Sequence, residues 1–313
     1  MTRKIIIDCD PGIDDAVALC MALFDPRLDV LAITATAGTV DADQATTNVS
    51  SILSILDPPR YPRIGKATTS ENATVSDDGY LHGTDGLGGV SIASSGRQHL
   101  PTSDKVIADL VRSHPNEVSI VCLGPLTNLA RLCQFEPTVI SQIDQIFISG
   151  GAITHPGNAT QCAESNMHFD AVAAKDVFES ATTKTLVPLD VTAKLTFGVQ
   201  LLDEIPAKYT RAGGLLQKIL PVAFRTAHQH LGRELIPLYD PTTILALLEP
   251  SLFTWEEMAG KVETRGELTH GVTVFDRRTP RTWNQNMEVA TSVDKKSARE
   301  MIIRSLRYAG QET

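Results

Sequence analysis

Four carboxylates fall within eight residues near the start of the chain, in Asp8-Cys9-Asp10-Pro11-Gly12-Ile13-Asp14-Asp15. Two unit charges about 5 Å apart repel by roughly 3 kcal/mol at an effective dielectric near 20, so a cluster of this kind needs positive compensation. The segment contains no lysine or arginine, and a helix N-terminus offers only about half a charge. A bound divalent cation is the simplest partner. An all-oxygen donor set suits Ca²⁺ or Mg²⁺ better than Zn²⁺. Asp14 and Asp15 could instead be ordinary first-turn acids, with Asp8 and Asp10 bending the chain, but four acids crowded at one strand end exceed what capping and turn formation require.

The elements that must position these acids follow from hydrophobic periodicity. Residues 4–8 form a continuous apolar strand. The apolar positions Ile13, Ala16, Val17, Cys20, Met21 and Phe24 then recur as one helical stripe. The cluster therefore sits where a strand hands over to a helix, and ligands of open α/β sheets bind beyond the carboxyl ends of the strands. Further strands are read at 30–36, 118–123, 145–149 and 185–189, with helices at 42–56, 125–133 and 168–180. This alternation predicts an α/β fold, an open, mainly parallel, Rossmann-like sheet with helices on both faces. Beyond residue 196 the pattern changes. Helices at 212–230 and 241–248, a strand-rich stretch at 261–293 and a closing helix at 295–308 are read as a helical and strand C-terminal cap on a single domain spanning 1–313.

Composition narrows the class of partner. The 313 residues carry 28 Lys+Arg against 37 Asp+Glu, a formal charge of −9, which disfavours nucleic acid and anionic lipid as primary partners. No apolar run approaches the roughly 20 residues that span a bilayer. Asp8 and Asp10 also interrupt the first apolar stretch before it could serve as a signal-peptide core. Five cysteines without a C-x-x-C pair read as reduced thiols, which points to the cytoplasm.

The run Asp8 to Ala16 matches D-x-D-P-G-x-D-D-A in full. It is followed in order by His82-Gly83-Thr84-Asp85-Gly86-Leu87-Gly88, Leu123-Gly124-Pro125-Leu126-Thr127-Asn128, Gly150-Gly151, Gly157-Asn158, Ala163-Glu164-Ser165-Asn166 and Asp240-Pro241. In this combination the sequence resembles the nucleoside hydrolase family, of the inosine-uridine-preferring N-ribohydrolase type. The resemblance implies hydrolysis of the N-glycosidic bond of a small-molecule ribonucleoside to ribose and free base. It implies one Ca²⁺ per subunit, held by carboxylates of Asp10, Asp15 and Asp240 and the backbone carbonyl of Thr127. Asp10 would be the general base for a calcium-bound water, whose proton a metal makes easier to remove. Ribose would be read by Asp14 at the 2′-hydroxyl, by Asp240 at the 3′-hydroxyl, and by Asn158, Glu164 and Asn166 on the 3′ and 5′ side. A homodimer or homotetramer is implied as well.

Read without the resemblance, several of these residues have local roles available. Asn158 suits a turn, Asn166 an N-cap, and Asp240 before Pro241 an N-cap with proline at N1. The side chain of Thr127 can cap the helix after Pro125. His82 matches a family histidine near the base, and the stretch bearing His228, His230 and Arg233 could line the base pocket, although i, i+2 and i+5 cannot share one helical face.

Three positions depart from the pattern. Thr39 stands where the family usually has asparagine in A-G-N, so a hydroxyl replaces an amide that orients water and sugar. Ser149 replaces a common methionine before Gly150-Gly151, with little effect expected if only the backbone is used. Tyr239 replaces a histidine proposed to protonate the leaving base, and a tyrosine of ordinary pKa near 10 is a poor acid at neutral pH. The changes at Thr39 and Tyr239 motivate an alternative reading, a catalytically weak or inactive nucleoside- or ribose-binding protein. A second alternative is a haloacid-dehalogenase-type phosphatase, which also places D-x-D after its first strand and could use Asp190 and Lys194. That reading leaves the remaining motif blocks unexplained.

Overall fold

The computed structural model describes residues 2–74, 82–90 and 99–311. Its strands, in chain order, are β1 Arg3–Cys9, β2 Leu28–Ala35, β3 Arg63–Gly65, β4 Val118–Cys122, β5 Gln145–Ser149, β6 Lys184–Val187, β7 Thr196–Gly198, β8 Leu235–Pro237, β9 Phe253–Met258, β10 Gly260–Val262, β11 Thr273–Phe275 and β12 Met287–Val293. Eight of them form one sheet in the order β3-β2-β1-β4-β5-β6-β12-β9. Every pairing from β3 through β12 is parallel, and only edge strand β9 runs antiparallel. The expected open, mainly parallel α/β sheet is what the chain forms.

Helices cover both faces, so the central strands are buried on both sides and read as unbroken β-branched runs. Ile5, Ile7 and Cys9 of β1 pack toward the helices Ile13–Phe24, Ala42–Leu56, Arg211–Leu231, Tyr239–Leu248 and Lys295–Gln311. Ile6 faces the opposite layer, built on Ser103–Ser113, Thr127–Phe135 and Ala171–Glu179. Each of these isoleucines is fully buried, and each contributes on the order of 2 kcal/mol by leaving water. The period-two alternation of β1 also sends Asp8 to the Ile6 side.

The strand order reverses beside β1. The chain passes outward from β1 to β2 and β3, then returns to β1's other edge as β4. This opens a crevice at the carboxyl ends of β1 and β4, the switch point at which such sheets bind ligands. The acidic turn leaves β1 there, and Leu123 to Thr127 leave β4 there. A backbone hydrogen bond from Leu123 to the Asp8 carbonyl, 2.8 Å, ties the two exits together.

Several boundaries differ from the sequence reading for identifiable reasons. The helix expected over 168–180 is two helices, Ser165–Phe169 and Ala171–Glu179, because Asp170 leaves helical geometry and its carboxylate caps the second through the Ala173 N–H. The strand expected to reach residue 189 ends at Val187, where Pro188 opens the short helix Leu189–Thr192. The C-terminal stretch is more than a cap, since β9 and β12 extend the main sheet while β10 and β11 pair as a separate hairpin. Asp240 is the second residue of its helix rather than the N-cap, which is Leu238. All five cysteines are free thiols. Among the described residues no helix is long and apolar enough to cross a membrane.

Candidate active site

A cavity of about 740 Å³ opens at the carboxyl ends of the central strands, lined by Asp10, Asp14, Asp15, Thr39, His82, Asn158, Glu164, Asn166, Tyr239 and Asp240 among others. Nearly all the candidate residues converge there from segments far apart in sequence. Thr127, His228 and His230 do not line it.

Asp10 is clamped from three sides. Its Oδ2 accepts the Thr39 N–H at 2.6 Å, and Gly38 and Gly124 press against its two oxygens. A Cβ on Gly38 would lie 2.1 Å from Oδ2, and one on Gly124 would lie 2.4 Å from Oδ1. Burial holds the Asp10 carboxyl well above the usual carboxylate range. The Thr39 N–H and hydroxyl pull it down, and the charge of Asp14 pushes it further up. The Thr39 hydroxyl thus acts on the general-base candidate itself.

Carboxylate oxygens of Asp14, Asp15 and Asp240 lie within 4.8 Å of one another. Ca²⁺ binds oxygen at 2.3–2.6 Å, so ligands on opposite sides of one ion are about 5 Å apart, and the trio has the right span. This trio includes Asp14 and not Asp10, which the resemblance names as a ligand. Asp15 Oδ2 caps its own helix, accepting the Gly12 N–H at 2.9 Å, while its buried Oδ1 has no hydrogen-bond partner among the described residues. Burial and then the neighbouring carboxylates push Asp15 and Asp240 up. Among the described residues no lysine or arginine pairs with any of the four acids. A hard divalent cation fits this donor set.

Ser149 plays a larger part than its sequence position suggested. Its hydroxyl donates to Asp240 Oδ1 at 3.1 Å, so the side chain, and not only the backbone, holds a cluster carboxylate. Thr127 opens its helix and donates its hydroxyl to Asp170 at 2.8 Å, leaving its backbone carbonyl as the atom in question for a cation. Asp8, fully buried, accepts from the Thr34 hydroxyl at 2.5 Å and from Asn128 Nδ2 at 2.8 Å. Asn128 also bonds the Ala35 carbonyl, which joins the ends of β1 and β2 to the helix that Thr127 begins.

The ribose candidates prove to be structural as well. Glu164, rather than Asn166, is the N-cap of Ser165–Phe169. Its two oxygens accept from the N–H groups of Gly151, Asn166 and Met167 and from the Ser165 hydroxyl, against the upward pull of burial. Asn166 donates Nδ2 to the carbonyls of Leu123 and Ser149, bridging the ends of β4 and β5, and the residue lines the cavity. Asn158 Oδ1 accepts the Ser165 N–H at 2.8 Å.

The outer wall carries the remaining candidates. His82 Nδ1 accepts the Ile13 N–H at 3.1 Å and lies 4.0 Å from Asp14, so this ring serves the helix start, in space that Gly12 leaves open. Burial, then the charge of Asp14, pushes the Tyr239 phenol up to about 12, with Arg233 and an Asn158 hydrogen bond opposing. Tyr239 keeps its proton at neutral pH and offers a hydrogen bond. His228 does not line the cavity and is 64% exposed, 2.9 Å from the lining residue Glu234. Its helix ends at Leu231 with Gly232 in the left-handed conformation, and that turn brings Arg233 and Glu234 to the wall in its place. The sequence reading missed His155, which lines the cavity within Thr154-His155-Pro156-Gly157-Asn158. A histidine before a Pro-Gly turn, between two motif blocks, was the available signal. Asp190, needed by the phosphatase reading, is committed to the backbone of Ile153, Thr154 and His155.

Comparisons with known proteins point to one family. The family described as inosine-uridine preferring nucleoside hydrolase matches residues 5–300. The chain is 31% identical over 300 residues to the inosine-uridine preferring nucleoside hydrolase of Leishmania major, covering 94% of each chain. It is 34% identical over 313 residues to the pyrimidine-specific ribonucleoside hydrolase RihA of Salmonella enteritidis, covering 98% of this chain and 99% of the relative. Its fold is similar to that of the purine-preferring ribonucleoside hydrolase from Gardnerella vaginalis, with a TM-score of 0.90, 26% identity, and coverage of 99% and 100% of the two chains. This chain, a ribonucleoside N-ribohydrolase, therefore belongs to the inosine-uridine preferring nucleoside hydrolase family.

Proposed function

We propose that the enzyme cleaves ribonucleosides with Ca²⁺ as its cofactor and Asp10 as its general base. The observation that carries this reading is the meeting of buried carboxylates, without a paired cationic side chain among the described residues, in the cavity that also presents Asn158, Glu164 and Asn166. Asp10, Asp15, Asp240 and the Thr127 carbonyl would hold the ion, with Asp14 close enough to share it. When bound, Ca²⁺ supplies charge compensation and makes a coordinated water easier to deprotonate.

The chain's own groups supply the rest. Asp10, wedged between Gly38 and Gly124, has one orientation in which to take a proton from water attacking the anomeric carbon. Carboxylates around the sugar stabilise the positive charge that develops on the ribosyl ring. Asp14 and Asp240 bind the 2′- and 3′-hydroxyls, and Asn158, Glu164 and Asn166 the 3′ and 5′ side. His82, with Nδ1 occupied by the helix start, holds Asp14's surroundings in place. Tyr239 contacts the base as a hydrogen-bond donor. A homodimer or homotetramer in the cytoplasm goes with this reading, and five free cysteines support a reducing compartment.

The test is incubation with a panel of purine and pyrimidine ribonucleosides, measuring free base and reducing sugar with and without a calcium chelator. Base release that stops on chelation and returns with calcium is expected. Binding of nucleosides without release of base at high enzyme concentration would refute the catalytic reading, and chelator-resistant turnover by demonstrably metal-free protein would refute the role of the ion.

A further inference from the structure

Breaking a bond between ribose and a base leaves electron density on the departing nitrogen, which must acquire a proton. Among the described residues the cavity wall carries two histidines, His82 and His155. Histidine is the residue type suited to proton transfer near neutrality. The Nδ1 of His82 is taken up as acceptor for the Ile13 N–H, beside the sugar-binding candidate Asp14.

His155 is placed differently. The carboxylate of Asp190 accepts from the Ile153 N–H at 2.6 Å, the Thr154 N–H at 2.9 Å, the Thr154 hydroxyl at 2.6 Å and the His155 N–H at 3.1 Å. Four bonds to one buried carboxylate hold the backbone of this loop in a single arrangement. His155 Nδ1 lies 2.6 Å from the carbonyl oxygen of Pro156. A carbonyl only accepts, so Nδ1 carries the hydrogen, and Nε2 is the atom left to exchange a proton with the cavity. Three residues on, Asn158 lines the same cavity as Tyr239. The clamped loop and Tyr239 thus form one wall, with Arg233 and Glu234 facing the same space.

We propose that His155 is the general acid that protonates the departing base. The inference rests on the hydrolase reading above. Water attacks the anomeric carbon and gives a proton to Asp10. The C–N bond breaks with its electron pair moving to the base nitrogen, and His155 Nε2–H donates its proton there. Ribose and neutral base result, and solvent carries a proton from Asp10 back to His155, so that one water is consumed. Asp190 is a positioning residue in this scheme.

The experiment compares full-length wild type, His155→Ala and His155→Gln on the nucleoside panel and on 4-nitrophenyl β-D-ribofuranoside, whose nitrophenolate departs without needing a proton. Both variants are expected to lose about 10²- to 10³-fold in kcat on nucleosides while keeping turnover of the aryl riboside within about threefold. Added imidazole is expected to restore part of the nucleoside activity of His155→Ala. Undiminished nucleoside turnover in the variants overturns the proposal. So does an equal loss on both substrate types without imidazole rescue, which marks a merely structural role. In either case an active wild type leaves the hydrolase reading standing, whereas a wild type inert on every riboside overturns both.

Discussion

Adding one methyl group at Gly38 tests how closely the site holds its base. Gly38 is not in the left-handed region, so alanine meets no backbone penalty there, and its Cβ is the whole perturbation. That carbon would sit 2.1 Å from Asp10 Oδ2 and 2.8 Å from Pro125 Cδ, where ordinary contact begins at 3.4 Å. The Asp10 carboxylate must retreat by about 1 Å, and the backbone of Gly124, packed so closely on its other side that a Cβ there would lie 2.4 Å from Oδ1, blocks simple translation. The Thr39 N–H bond of 2.6 Å is lost in the same movement. Displacement of a catalytic group by about 1 Å costs on the order of 10²-fold in rate, equivalent to about 2.7 kcal/mol of barrier. Gly38→Ala is therefore expected to fold, with a circular-dichroism spectrum like wild type, and to show kcat reduced about 10²-fold on the best ribonucleoside of the panel. A folded Gly38→Ala enzyme with kcat within threefold of wild type would refute the idea that this clamp sets the position of Asp10.

Asp10→Asn keeps an acceptor for the Thr39 N–H and nearly the same shape, so its melting temperature should stay close to wild type while base release falls by about 10³- to 10⁴-fold; near-normal turnover would remove Asp10 from the base role. Calcium at 100 times its dissociation constant should stabilise the fold by about 2.7 kcal/mol, seen as a rise of several degrees in a thermal melt, and Asp15→Asn should erase most of that rise. Lys184, almost fully buried, donates to the carbonyls of Ser180 and Thr182, and burial lowers its pKa to about 8. The unfolded chain then binds the extra proton between about pH 8 and the ordinary lysine value near 10.5, so wild-type stability gains on Lys184→Met across that window, by on the order of 3 kcal/mol. Parallel urea midpoints for the two proteins from pH 7.5 to 10.5 would contradict this.

Much of the site was legible in the residues because its parts are local. Asp8 to Asp15 is a contiguous strand-to-helix turn, and a β-branched run followed by a helical stripe places that turn at a sheet edge whatever the rest of the chain does. The crowding of like charges likewise argues for a cation from composition alone. The elements at 42–56 and 145–149 agree with the structure to the residue, since each is one uninterrupted period bounded by turn residues.

Only the tertiary structure decided which groups share the cavity and in what capacity. Ser149 grips Asp240 across 91 residues of sequence, Glu164 proves to be the cap that Asn166 was read as, and the chain after the left-handed Gly232 brings Arg233 and Glu234 to the wall while His228 stays exposed on its helix. The Asp190 clamp that sets His155 at the cavity has no local pattern either, because its partners lie 35 to 37 residues away. Periodicity reports which face of an element is buried. Which atoms of distant segments meet depends on how the faces pack, and that is settled only when the whole sheet assembles.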